Sequence, residues 1–171
     1  MRVLFTGIIV MLSLNLFAQQ AFEISKDSEN GSTVFKGKLT FRDLEQETEW
    51  FKPVFKEYKP DTAAMNYLKQ HIRNYRMVVF LGTWCEDSQS MIPKIFRIFI
   101  DAYYTGDKYE TYGVDRAKTS LKGEHKTYGI KFVPTVIVYD GNKEIGRIVE
   151  NVHKSVEEDL VSIIKKSKGN N

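Results

Sequence analysis

The sequence predicts an α/β domain, a mixed central sheet flanked by helices, carried behind an N-terminal extension. Three observations predict it. A continuous apolar run, "MVVFLGT" from Met77, is followed by an apolar stripe at helical spacing and then by the alternating segment Tyr109 to Asp115, which reads as strand, helix, strand. A β-branched run from Thr135, an Asp-Gly pair at Asp140 and Gly141, and a second run make a hairpin. A capped amphipathic helix closes the chain.

Taken in order, residues 1–18 read as a secretory signal peptide. Arg2 gives the positive start, Val3 to Phe17 the apolar run, and Ala18 the small residue before the cleavage point. The run is about 15 residues where a bilayer span needs about 20, and Asn15 interrupts it, so no membrane attachment is expected after cleavage. The mature protein is then exported, to a periplasm or otherwise as a secreted protein. Residues 19–60 form the extension. Its first part, to about residue 34, is polar and glycine-containing and reads as a loose leader. Thr40 with Asp43 starts a helix carrying Leu44, Trp50 and Phe51, which Pro53 ends or kinks.

Residues 61–171 form the domain proper. A helix runs from Asp61, as N-cap, to about Asn74, with Ala64, Tyr67, Leu68 and Ile72 on one face. The run from Met77 lacks alternation, as expected of a strand covered on both faces. Beyond Cys85, Ile92, Ile95, Phe96, Phe99 and Tyr103 repeat at helical spacing, with Pro93 placed to kink the helix. Between Asp115 and Tyr128 the pattern fits a helix or a loop. Ser155 and Glu158 make a capping box for a last helix that turns Val156, Leu160, Ile163 and Ile164 inward. The strand–helix–strand opening calls for a parallel pair with a right-handed crossover, the hairpin for an antiparallel pair, and the helices for both faces of the sheet.

Charge excludes some functions. The 25 basic and 22 acidic residues are dispersed, apart from "KKSK" at Lys165 to Lys168, which suits a helix end. Neither nucleic acid nor a membrane surface is an expected partner. His71, His125 and His153 lack metal-ligand spacing, and His125 reads as a solvated surface residue. There is no glycine-rich phosphate loop and no hydrolase triad, and neither a metal nor a cofactor is expected. The one cysteine, Cys85, cannot make an internal disulfide, although export places the chain where disulfides form. A free thiol kept under those conditions suggests a use for it.

Cys85 falls where the buried strand ends and a helix begins. There the helix dipole and unpaired N–H groups favour a thiolate, while Glu86 and Asp87 oppose it. The thiol is therefore expected to be less acidic than the most reactive helix-start cysteines. Trp84 flanks it and limits water access from one side.

The segment "VVFLGTWCEDSQSMIP" resembles the active-site stretch of the thioredoxin family: apolar strand, W-C-x-x-[C/S], and a proline, here Pro93, eight residues after the cysteine. "YGIKFVPTVIVYDGNKEIG" resembles that family's second mark, in which a cis-proline, here Pro134 after Val133, faces the cysteine; Gly146 matches a glycine usual on the return strand. The likeness covers about residues 61–168. It implies a thioredoxin-like fold, a catalytic Cys85, and a substrate surface at Trp84, Val133 and Pro134, where the backbone of Val133 pairs with an extended segment.

Two departures reshape the expected chemistry. Ser88 stands where the family usually has its resolving cysteine, giving a WCxxS, monothiol site. A hydroxyl cannot release a mixed disulfide, although Ser88 can donate a hydrogen bond to a thiolate or simply bond to the helix backbone. Val79 stands where many members carry a buried acid used in proton transfer. The leading expectation is thiol–disulfide exchange through Cys85 with client proteins or small thiols, reductase- or isomerase-like, completed by an external thiol or by the substrate's second cysteine. The alternative is a non-catalytic module that binds peptides or proteins on the same surface. A third possibility is that a partner protein supplies the resolving cysteine.

Overall fold

The computed structural model describes residues 21–169, so the leader, residues 1–18, lies outside the described residues. The elements are β1 Phe22–Lys26, β2 Thr33–Leu39, α1 Phe41–Glu47, α2 Phe51–Glu57, α3 Thr62–His71 with a 3-10 turn at Ile72–Asn74, β3 Arg76–Leu81, α4 Glu86–Asp101, β4 Tyr109–Gly113, α5 Glu124–Thr127, β5 Thr135–Asp140, β6 Lys143–Val149 and α6 Val156–Gly169. They form a mixed six-stranded sheet in the order β1-β2-β4-β3-β5-β6. Only β3 and β4 pair in parallel, as their connection through α4 requires; the other pairs are antiparallel.

The apolar run of β3 is central because both of its faces are covered. Met77, Val79 and Leu81 join the larger cluster, built with Leu44, Phe51, Leu68, Ile92, Phe96 and Leu160 from α1 to α4 and α6. Val78 and Phe80 join the smaller one, with Tyr112, Val114, Ile130, Val133 and Ile137. The helices therefore do not divide evenly between the faces. The long ones share a face, and the other is covered by the one-turn α5 and the chain flanking it. The α6 packing relies on Gly146, where a Cβ would stand 2.9 Å from Ile163 Cγ2.

The expected loose leader is a strand. β1 lies antiparallel to β2, and β2 pairs with β4, so the N-terminal segment extends the sheet. Its composition suits an edge strand that is exposed at every residue but Phe22, which composition alone does not separate from a loop. The helix opening at Thr40 forms with the expected capping box to Asp43. It stops at Glu47, however, and Pro53 begins a helix rather than ending one: it is the third residue of α2, where its missing N–H leaves no helical bond unmade. Asp61 caps α3 as expected, its carboxylate accepting from Ala64 N at 2.8 Å. The hairpin turn is shifted by one residue. Asp140 pairs with Lys143, so Gly141, at φ +56°, and Asn142 form the loop. The helix α4 continues through Pro93, which is buried against the core.

Candidate functional site

β3 ends at Leu81 and α4 starts at Glu86, so Cys85 is the N-cap of a sixteen-residue helix. The four-residue connection is tied at both ends. Cys85 N donates to Gly82 O at 2.9 Å, Gln89 N to Cys85 O at 3.0 Å, and Gln89 Nε2 to Thr83 O at 2.9 Å. Its cysteine is half-buried and free.

The thiol faces Val133. Cys85 Sγ donates to Val133 O at 3.5 Å, and the Val133–Pro134 peptide is cis, as the resemblance implies. Pro134 is itself fixed on its far side, where its carbonyl accepts from Glu150 N at 2.8 Å. Next to Val133, Phe132 leaves its ring 50% exposed while its carbonyl accepts from Thr135 Oγ1 at 2.7 Å. The fold thus brings together Cys85, Trp84, Val133 and Pro134, four residues that lie as much as 50 positions apart in the chain.

Trp84 lies against the strand end. Its Nε1–H donates to Val114 O at 3.0 Å, and Gly82 makes room for the ring, since a Cβ there would stand 2.6 Å from Trp84 Cε2. The guanidinium of Arg116 covers the ring at 4.9 Å and the ammonium of Lys118 at 5.4 Å. Thr83 is held from the N-terminal side: its hydroxyl donates to Thr33 O at 2.6 Å and accepts from Phe35 N at 3.2 Å.

Ser88 points elsewhere than at the thiol. Fully buried, its Oγ accepts the Gly82 N–H at 3.2 Å, which satisfies the last backbone donor of the strand end. Val79 is fully buried between Thr111 of β4 and Val136 of β5. Beside it, Thr111 Oγ1 is buried with no hydrogen-bond partner among the described residues. His125 is half-buried rather than solvated: its Nδ1 accepts from Ser120 N at 2.9 Å and so shapes the chain before α5. No group of three or more His, Cys, Asp or Glu side chains that could hold a metal ion occurs among the described residues.

Sequence patterns miss Thr83, Phe132 and Arg116. The first two sit inside quoted motifs, where an exposed aromatic next to the Val-Pro pair is a usable signal. Arg116 carries none, because its partners lie far away in the chain.

No protein family and no curated protein matches this chain. Among solved structures it is similar to an HIV epitope-scaffold, at 16% identity over 75% of this chain and 87% of that one, with a TM-score of 0.49. It is also similar to a protein of unknown function from Pseudomonas aeruginosa, at 18% identity over 77% of this chain and 78% of that one, TM-score 0.44. A third is the thioredoxin O2 of Arabidopsis thaliana in its oxidized state, at 19% identity over 61% of this chain and 83% of that one, TM-score 0.38.

Proposed function

We propose that this chain is an exported, thioredoxin-like monothiol protein whose Cys85 exchanges with disulfides of client proteins or small thiols. One observation carries the reading: a half-buried thiol at the N-cap of α4 stands 3.5 Å from the carbonyl that precedes a cis-proline. A helix N-terminus favours the anionic form of an attacking sulfur. Phe132, 50% exposed and next to Val133, places an apolar side chain near the thiol, where an extended segment with an apolar residue near its cysteine would find it.

The step is a displacement. The Cys85 thiolate attacks one sulfur of R–S–S–R′, the Cys85–S–R bond forms, the S–S bond breaks, and R′–S⁻ leaves and takes a proton from water. No net oxidation occurs. Release of R then needs an external thiol or a second thiol within R, because Ser88 offers only a hydroxyl and that hydroxyl is turned to Gly82 N.

A second reading, a binding module without thiol chemistry, draws support from Val79, which leaves an apolar contact where a proton acceptor would be useful. One comparison separates the two. Wild type and Cys85→Ser are incubated with a disulfide-bonded peptide and examined by intact mass under non-reducing conditions. A covalent adduct in wild type, with capture lost in Cys85→Ser, is expected for exchange. Equal capture by both, with no adduct, would leave only binding.

A further inference from the structure

The N-terminal hairpin reaches the thiol site through one side chain. Arg116 Nε pairs with Asp27 Oδ2 at 2.6 Å and Nη1 with Glu29 Oε2 at 2.9 Å, both carboxylates on the turn between β1 and β2. That turn is itself ordered: Asp27 is only 7% exposed and its Oδ1 accepts from Glu29 N at 3.0 Å and Asn30 N at 3.1 Å. With its fork held there, the guanidinium lies 4.9 Å from the Trp84 ring centre, the residue next to Cys85. The opposite constraints on that ring are the Val114 carbonyl and the bare Gly82.

We propose that Arg116 is a positioning residue for the Cys85 site: gripped by the hairpin turn, it holds Trp84 against the strand end and stands as a fixed positive charge on the thiol's flank. The proposal rests on the reading of Cys85 as the reactive group. A guanidinium suits the task because its plane stacks on an indole while its edge binds carboxylates. Its own pKa is raised, first by the Asp27 hydrogen bond, against burial, and then by the charges of Asp27, Glu29 and Cys85. Other charges surround the thiol. Glu86 and Asp87 lie on the first turn of α4 and oppose a thiolate, while the Glu150 N–H meets Pro134 O. Lys118 shares the Trp84 ring with Arg116, and Asp115 beside them is paired with Lys36 of β2.

Asp27 makes the proposal decidable. As a bare charge it disfavours a thiolate; as the anchor of Arg116 it favours one. The two roles give Asp27→Asn opposite signs. The test is the rate of Cys85 alkylation by iodoacetamide as a function of pH in the full chain, for wild type, Arg116→Gln and Asp27→Asn. Each variant is first checked for cooperative unfolding. Arg116→Gln is expected to slow alkylation at pH 7 about twofold and to move the rise of rate with pH upward, as loss of one partly screened neighbouring charge does. Asp27→Asn is expected to move the rise in the same direction. An Arg116→Gln profile that superimposes on wild type, or an Asp27→Asn profile unmoved or moved downward, overturns the proposal. Failure of the exchange reading shows separately, as the absence of a mixed disulfide on wild type, because the comparison of variants reads alkylation alone.

Discussion

Cys85, Ser88 and Val79 divide the chemistry between them. On the proposed function Cys85 is the attacking sulfur, while Ser88 bonds to the backbone: its Oγ accepts from Gly82 N at 3.2 Å. A first-turn serine often bonds to nearby backbone, and Ser88 does so here. Beside the fully buried Val79, Thr111 of β4 has a hydroxyl that is buried and unpaired among the described residues. A buried hydroxyl without a partner costs free energy that an isosteric methyl group does not. Thr111→Val is therefore expected to stabilise the fold by about 1 kcal/mol, read as a higher midpoint in urea unfolding at unchanged slope. A loss of stability would mean that the hydroxyl is satisfied in solution.

At the scale of elements, α6 is tied to the start of the domain by a carboxylate. Glu157, 2% exposed, accepts from Tyr58 OH at 2.5 Å and from Asp61 N at 2.8 Å, which joins the end of α2 and the cap of α3 to α6. Tyr58→Phe leaves that buried carboxylate one donor short. It is expected to cost about 1–3 kcal/mol, a fall in Tm of several degrees for a chain of this size; an unchanged Tm would show the bond to be idle. These elements differ in how far they were legible. The β3–α4–β4 unit, the β5–β6 hairpin and the caps at Thr40, Asp61 and Ser155 follow from apolar periodicity and cap chemistry, whereas the joining of Cys85 to Val133 and Pro134 was expected only from the motif resemblance. β1 escaped because an edge strand buries little, leaving Phe22 as its only residue that is not exposed. The break between α1 and α2 escaped because Pro53 is as compatible with a helix start as with its end. The Arg116–Asp27 pair joins residues 89 apart and leaves no local pattern.

Over the whole molecule, the N-terminal hairpin is fastened to β4 and the chain after it by ion pairs that include Asp27–Arg116, Lys36–Asp115 and Lys38–Glu110. All three carboxyls are held below their usual range. The Arg116 hydrogen bond lowers Asp27 and the Lys38 hydrogen bond lowers Glu110, each against burial; at Asp115 burial is the largest influence and raises it, but the Lys36 and Thr119 hydrogen bonds together outweigh it. A carboxyl whose folded pKa lies below its unfolded one contributes stability above the unfolded value, about 4, and loses that contribution as pH falls through the folded value. Stability is thus expected to be level above about pH 5 with respect to these groups and to fall below about pH 4. The fall should be shallower in Asp27→Asn, as denaturant unfolding across pH 3–7 would record; equal slopes would exclude Asp27 from the acid response. The hairpin so fastened supplies Thr33, Phe35 and the Arg116 anchor to the site, which makes the N-terminal segment part of the thiol's setting. On the proposed function, Cys85 opens an exchange that no second thiol of the chain closes, since it is the one cysteine. Intact mass followed over time after mixing with two single-cysteine peptides joined by one disulfide, so that the captured half carries no second thiol, tests it most directly. The expected result is an adduct on Cys85 that forms and persists until an external thiol is added. No adduct, or one that disappears without added thiol, would contradict the account.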